Sequence, residues 1–478
     1  MSQEVSVDDR MNKLVSLCKR RGFVFQSSEI YGGLKSCYDY GPLGVELKRN
    51  VTDNWWRSMV HEREDVVGLD ASIIMHPDVW KASGHLDGFS DPLVECMDCH
   101  VRFRADKAPR MEPGTEVTFR DAKKKKVTAP VLDRGYVCSD CGSPRLSEER
   151  AFNLMFSTHL GPVASEENTV YLRPETAQAM FVNFLNVQQS YRLKIPFGIA
   201  QVGKSFRNEI TVRHFIFRSC EFEQMEMEFF VEPGSDDEWF EYWKKARLQW
   251  YVDLGIDPSN LRLRPHEKDE LAHYAKGCSD VEYRFPWGWD ELEGIANRTD
   301  YDLRKHQEAS GKKLEIIDPN REDPNTGKRP FRYLPYVIEP AAGATRAVLA
   351  FLLDAYDEEP PSETRKDGRV VLRLHPRVAP IKAAVLPLIK KDENLTARAR
   401  AIVKEFWGHG INSFYDEKDS IGRRYARQDE AGTPFCLTVD GQTLEEETVT
   451  IRYRDDMRQE RIEVSQAVDI VRKKVMES

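Results

Sequence analysis

The sequence predicts an α+β protein: an antiparallel sheet with flanking helices, interrupted by a small cysteine-bearing insertion and followed by an α/β domain. Three observations predict it. Residues 196–231 alternate apolar and polar with period two, apart from a break near 211–217, which reads as strand, loop, strand. Two Cys-x-x-Cys pairs, Cys96 with Cys99 and Cys138 with Cys141, sit in a stretch rich in Gly and Pro breaks. Beyond a charged segment with two prolines, residues 357–369, short apolar runs alternate with helical patterns. The length, 478 residues, suggests about three domains.

Each element has its own signal. In residues 43–65, Val45, Leu47, Val51, Trp55, Met59 and Val60 recur roughly at helical spacing and predict one long amphipathic helix. Such a face is expected to pack across a two-fold interface, with a core helix of its own chain as the alternative, since amphipathicity alone does not separate the two. Residues 66–75 read as extended up to Pro77. Residues 236–254 are aromatic-rich and helical in pattern. The polar stretch 305–328, with turn chemistry at Asp318-Pro319-Asn320 and Asn325-Thr326-Gly327, reads as a surface insertion. Residues 337–356 read as a strand entering an apolar helix. In the C-terminal part, 383–388, 435–439 and 449–451 are strand-like, and 397–407 and 464–475 are helical. The resulting division is 1–94, an insertion at 95–146, 147–356, a linker at 357–369, and 370–478.

Composition excludes several classes. Seventy Lys+Arg against 79 Asp+Glu give a net charge of −9, which argues against attachment to nucleic acid or membrane by bulk positive charge, though not against a local basic surface. The longest apolar stretch, 347–353, is far short of the ~20 residues that span a bilayer, and residues 1–10 carry no signal-peptide core. A cytoplasmic location without membrane attachment is the default. The odd cysteine count, nine, argues against a secreted disulfide framework.

The two Cys-x-x-Cys pairs have the spacing of a tetrahedral S4 zinc site, closed and therefore structural; the alternative is four reduced, unligated thiols. Cys18, Cys37, Cys220, Cys278 and Cys436 show no ligand spacing and read as packing residues. Gly198 to Ser205 matches the phosphate-loop pattern GxxxxGK[ST], but its residues are themselves strand-like and no helix opens after them, so the match reads as coincidence.

The same segment supports a different chemistry. On the second strand Phe222, Gln224 and Glu226 share one face, which offers an aromatic surface, an amide and a carboxylate. Alone, this reads rather as a solvated charged hairpin with Phe222 in the core. Taken with Gly343-Ala344-Thr345-Arg346 at a strand-to-helix start, the chain resembles a class II aminoacyl-tRNA synthetase, with residues 43–77, 196–231 and 337–356 similar to its motifs 1, 2 and 3. Leu172-Arg173-Pro174-Glu175-Thr176-Ala177-Gln178, Phe206-Arg207-Asn208-Glu209-Ile210-Thr211, Glu291-Leu292-Glu293-Gly294-Ile295-Ala296-Asn297-Arg298 and Ile338-Glu339-Pro340 resemble the dimeric glycyl-tRNA synthetases. Ser420 to Tyr425 and Asp429 to Phe435 resemble their anticodon-binding domain.

The resemblance implies glycine activation by ATP to an adenylate, then transfer to tRNA(Gly), by a homodimer using Mg²⁺ and a structural Zn²⁺. It implies Arg207, Glu209 and Arg346 as catalytic residues. It implies Arg207, Asn208, Glu209, Phe217, Arg218, Phe222, Glu291, Leu292, Gly343 and Arg346 around ATP, with Phe222 stacked on adenine and Glu291 on Mg²⁺ or ATP. Arginine suits these positions because attack on the α-phosphorus builds charge that fixed cations stabilise. For glycine it implies Arg104, Glu175, Phe222, Glu226, Arg298, Glu339 and Gly343, with three acids on the ammonium; three acids also suit a hard cation. Arg423, Arg427, Gln428 and Glu430 are implied at the anticodon, and the 123–126 lysine run with Arg423, Arg424 and Arg427 is the candidate RNA surface. The chain departs from the family at Ala341 (usually Ser), Ala179 (Gly), Cys220 (Arg) and Ala426 (Arg). A non-catalytic synthetase-like accessory subunit is the alternative function. Against it, Arg207, Glu209, Glu291 and Arg346 are all retained.

Overall fold

The computed structural model describes residues 7–476 apart from 211–213, 273, 325 and 362–367. The expectations that fall on Met1 to Ser6, Thr211, Asn325 and the middle of the 357–369 linker lie outside the described residues.

A seven-stranded sheet organises the larger part of the chain. Its strands are β1 (Val66–Gly68), β2 (Phe197–Phe206), β3 (Glu221–Val231), β4 (Leu261–Pro265), β5 (Gly277–Phe285), β6 (Gly288–Thr299) and β7 (Tyr336–Gly343), in the order β4-β5-β6-β7-β3-β2-β1. Neighbours are antiparallel except β1 and β2. The expected hairpin pairs along its whole length, from Phe206 opposite Glu221 to Phe197 opposite Phe230.

Strand β3 has neighbours on both edges, and its two faces do different work. Met225, Met227, Phe229 and Val231 enter the main core with the helices α1 (Val7–Arg21), α2 (Pro42–Trp56), α3 (Asp236–Asp253) and, after Gly343, α5 (Ala344–Ala355). The opposite face carries Phe222, Gln224, Glu226, Glu228 and Phe230 by the period-two rule. Phe230 there joins a second cluster with Phe181, Phe184, Phe197 and Leu303, the last from α4 (Tyr301–Ser310). Between that cluster and the loops, the polar residues of this face are left around a cavity.

Helix α2 starts at Pro42, whose fixed φ suits the first helical position, and passes into a wider π-type turn, Arg57–His61. The long helix expected over 43–65 therefore ends by Glu62. Leu47, Val51 and Trp55 are wholly buried in their own chain, where α2 packs on α5. The extended stretch 66–75 is two short strands, β1 and Ile74–Met75, the second paired with Thr169–Leu172. The expected surface insertion 305–328 begins as the end of α4, whose Asp302, Leu303 and His306 are buried; the apolar periodicity starts before residue 305.

Strands Tyr356–Glu359 and Arg369–Leu372 pair with each other, so both ends of the expected linker are sheet. Leu372, Leu374, Val378 and Ala379 belong to the main core, and a separate core starts at Ala383. The C-terminal sheet contains β8 (Ala383–Pro387), β9 (Ser413–Tyr415), β10 (Phe435–Val439), β11 (Thr448–Tyr453) and β12 (Gln459–Glu463), in the order β9-β8-β10-β11-β12. Strand β8 is parallel to β9 and β10. The helices α6 (Glu393–Gly408), α7 (Ile421–Ala431) and α8 (Val464–Met476) accompany this sheet.

The insertion leaves and rejoins the larger domain through strand Ser90–Glu95, which pairs with Arg102–Arg104 and Arg150–Asn153. Its small core of Val94, Phe103, Tyr136 and Leu146 includes Cys96 and Cys138. The lysine run turns the hairpin Glu116–Arg120/Lys126–Pro130, where an Asp121 carboxylate oxygen accepts from the Lys123 and Lys125 N–H groups at 2.9 and 2.8 Å. Among the described residues no helix is long and apolar enough to cross a membrane.

Candidate active site

The polar face of β3 opens into a cavity of about 260 Å³ lined by residues of β3, β6, β7, the start of α5 and the loops before and after β2. Three glutamates around one arginine stand at its inner end, and three arginines with two glutamates at its outer end.

At the inner end lie Glu175, Glu226, Glu339 and Arg298. The Arg298 guanidinium forms a two-point pair with Asp302, at 2.8 and 3.0 Å, and donates to Glu339. Its plane lies between the Tyr274 ring (4.1 Å) and the Phe181 ring (5.4 Å). Burial opposes its charge, but Asp302 and Glu339 outweigh burial and hold its pKa well above the usual arginine value. Glu226 accepts from the Thr176 backbone N–H (3.1 Å) and hydroxyl and from the Gln224 amide (3.3 Å). Burial, reinforced by the charges of Glu339 and Glu175, pushes its pKa up to about 8. Burial raises Glu339 also, against the lowering effect of Arg298. Glu175 differs: burial alone would raise it, but the His85 imidazole 3.3 Å away and the Arg298 charge hold it well below the usual range. The Gln178 amide donates to Glu175 and Asp302, both at 3.0 Å, and its carbonyl meets His306 at 2.8 Å.

Behind this group, Glu228 is wholly buried and neither carboxyl oxygen has a hydrogen-bond partner. Burial and the Glu339 charge raise its pKa well above normal, which keeps it a neutral acid. Sequence reasoning missed Glu228, Asp302, His85 and Gln178. The period-two rule that grouped Phe222, Gln224 and Glu226 extends to Glu228 and was the available signal. The other three come from separate elements.

At the outer end, the Arg207 guanidinium lies between Phe89 (5.4 Å) and Phe222 (5.3 Å), and its Nε donates to the Pro174 carbonyl at 3.0 Å. Arg346 lies over Phe217 at 4.3 Å and meets the Glu291 carboxylate at 3.1 Å and carbonyl at 2.9 Å. That contact holds Glu291 below its ordinary pKa. Arg218 and Glu209 face each other at 3.5 Å. The ring against Arg346 is thus Phe217, and Phe222 supports Arg207. Gly343 also lines the cavity, beside Arg346, and Ala341 stands in its wall.

Some expected residues lie elsewhere. Leu292 is wholly buried in the main core: the register slips by one residue between Glu291 and Glu293, so strict period-two alternation fails there, and Glu293 meets Arg247 on the side of the sheet away from the cavity. Asn208 donates its backbone N–H to Leu154. Arg104 is paired with Asp91 (2.8 Å) and Asp106 and lines an adjoining cavity of about 520 Å³ between the insertion and the sheet. In the C-terminal domain Arg423 is exposed. Arg424, expected on the surface, is buried with its guanidinium on the Pro387 and Asp416 carbonyls. Arg427 is paired with Asp416 and Asp419, Gln428 is buried against Thr433, and Glu430 meets Arg20 and Arg21 of α1. Of the departures, Ala179 is in the core, Cys220 donates its backbone N–H to Ser36, and Ala426 is exposed on α7.

The phosphate-loop match lies along β2 and presents no loop. Its glycines are packing positions: a Cβ on Gly203 would meet Arg173 Nη2 at 2.2 Å, and one on Gly198 would meet Met227 at 2.7 Å. The four insertion cysteines converge. Cys96 and Cys141 sulfurs are 3.6 Å apart, as are those of Cys99 and Cys138, and all four lie within 4.8 Å of one another. Zinc–sulfur bonds of about 2.3 Å in a tetrahedron require sulfurs about 3.8 Å apart, so the donor set fits zinc. Backbone N–H groups of Asp98 and Asp140 point at Cys96 and Cys138 sulfur, at 3.5 and 3.4 Å.

Residues 382–474 match the family described as "Anticodon binding domain". With the mixed α/β fold that precedes it, this fits one class of protein, the aminoacyl-tRNA synthetases. Among curated proteins the chain is 51% identical over 469 residues to a glycine–tRNA ligase of Treponema denticola, covering 97% of each. It is 54% identical over 467 residues to one of Thermobifida fusca (96% of each), and 52% over 474 residues to one of Bifidobacterium longum (98% of this chain, 93% of that one). The chain belongs to the glycine–tRNA ligase family.

Proposed function

We propose that the protein joins glycine to tRNA(Gly) in two steps, through a glycyl-adenylate. The observation that carries this reading is one cavity whose inner end gathers three buried carboxylates, suited to an ammonium, and whose outer end carries three arginines, suited to phosphates. Glu175, Glu226 and Glu339 receive the ammonium, and Arg298 faces the carboxylate. Arg104, held by Asp91 and Asp106 in the adjoining cavity, is left out of this set. Glycine has no side chain to grip, so selectivity against alanine rests on exclusion by size, and an editing step is not required.

A glycine carboxylate oxygen attacks the α-phosphorus, the bond to the bridging oxygen breaks, and pyrophosphate leaves. Arg207 stabilises charge at the α-phosphate and Arg346 at the γ-phosphate, both as fixed donors. Glu209 and Arg218 hold the nucleotide, with Phe222 stacked on adenine and the Phe217 ring against Arg346 beside it. Mg²⁺ on Glu291 would supply further neutralisation of the phosphates. The terminal ribose hydroxyl of tRNA then attacks the activated carbonyl and AMP leaves. Zinc in the four-cysteine cluster holds the insertion, and the C-terminal domain contacts the anticodon, with Arg423 as its exposed cation. A cytoplasmic homodimer completes the reading. Since the apolar face of α2 is buried in its own chain, a dimer contact there would use the helix's polar side.

The test is ATP–pyrophosphate exchange with each amino acid in turn. Exchange with glycine alone is expected, and Arg207→Ala should abolish it while leaving the thermal transition in place. Unchanged exchange in that variant would overturn the assignment of Arg207.

A further inference from the structure

We infer that His266, Cys278 and Asp280 form a binding site for a borderline divalent transition-metal ion, separate from the four-cysteine cluster. The site follows from strand register. Cys278 and Asp280 are two apart on β5, so their side chains share a face. His266 directly follows β4, and its backbone N–H donates to the Cys278 carbonyl at 2.9 Å, which sets the imidazole beside the thiol. One nitrogen, one sulfur and one oxygen lie within 4.8 Å of one another, with His266 Nε2 2.8 Å from an Asp280 carboxylate oxygen. Metal–ligand bonds of about 2.0–2.3 Å need that nitrogen–oxygen separation to open by a few tenths of an ångström, within the reach of two side-chain rotations. Imidazole with sulfur favours zinc-like ions over magnesium.

The surroundings favour a cation. Asp280 stands opposite Gly294 of β6, which lines the active-site cavity, and a Cβ on Gly294 would lie 3.9 Å from an Asp280 oxygen. Glu291 and Glu282 are nearby carboxylates, and Arg264, the register partner of Asp280, is the nearby cation. The entering ion displaces the Cys278 thiol proton into solvent as the sulfur lone pair bonds to the metal. Three protein ligands leave an open position for water. This site does not depend on the assignment of ATP or glycine contacts.

Protein whose four-cysteine cluster is filled with zinc should be titrated with Co²⁺. Uptake of one further ion per chain is expected, with a thiolate-to-cobalt charge-transfer band in the near ultraviolet and no loss of zinc. Cys278→Ser should remove the band, and both Cys278→Ser and His266→Ala should weaken Co²⁺ binding at least about tenfold. Cys436→Ser, a buried thiol of the C-terminal domain, should change neither. No cobalt bound beyond the zinc, a band that persists in Cys278→Ser, or zinc released in step with cobalt uptake would each overturn the inference.

Discussion

At the scale of single residues, the acidic end of the cavity is set by unequal environments. Glu175 has a cationic neighbour and stays ionised, while Glu226 is desolvated beside two other acids and holds its proton to about pH 8. A site carrying this proton receives an ammonium less well, and the proton must leave as glycine enters. The sign follows: kcat/KM for glycine should rise with pH up to about 8, because the carboxylate form grows in that direction. Glu226→Gln should lower kcat/KM and flatten that limb; a limb of unchanged slope would remove Glu226 from the ammonium site. A second residue-scale effect lies on the far side of the sheet. Arg247 and Glu293 are both buried and paired at 2.6 Å. Arg247→Met strands a carboxylate without a partner and should cost about 3–5 kcal/mol, read by urea unfolding.

At the scale of elements, β2 shows how a sequence pattern and a physical cause part company. Gly203 is small because Arg173 crosses it, and Arg173 is fixed by the Lys204 carbonyl (2.7 Å), the Ala71 carbonyl (3.0 Å) and Gln201 (3.1 Å). Gly203→Ala should therefore destabilise by about 1–3 kcal/mol through displacement of a locked side chain. The signal in denaturation should appear with or without nucleotide present. The insertion depends on its cysteines in a similar way. Its apolar core is small, and the proposed zinc would supply the crosslink that holds it. One zinc per chain is expected by metal analysis, and Cys96→Ala should lose it and expose the 95–146 region to protease. Absence of zinc together with unchanged protease resistance would refute the role.

At the scale of the whole molecule, the two sheets are joined by more than a tether. The strand Arg369–Leu372 pairs back onto Tyr356–Glu359, and Leu374 and Val378 sit in the main core. Arg369 reaches across to Asp429 at 2.8 Å, and Glu430 meets α1. A truncation that spares the catalytic core must therefore cut near residue 381, after Ala379 and before Ala383, rather than at 369. A chain ending there should retain glycine-dependent exchange and lose most tRNA charging. Normal charging by that chain would exclude the anticodon role of the C-terminal domain.

The sequence by itself determined the long hairpin, the strand-to-helix step at Gly343, the cysteine cluster and the separate C-terminal α/β fold. Each depends on local periodicity or on fixed spacing along the chain, and those survive without knowledge of neighbours. It also carried the motifs around Arg207, Glu175, Glu226, Arg298, Glu339 and Arg346, which the fold gathers around one cavity. Only the tertiary structure decided which aromatic ring faces which arginine, that Arg104 belongs to the adjoining cavity, and that Arg424 is buried. It alone decided that Glu228 stands without a partner behind the acids, and that Leu372 to Ala379 belong to the first core. These outcomes depend on contacts between segments distant in sequence. Burial and charge are properties of such contacts, so a residue's protonation and exposure are settled only when the chain has closed around it.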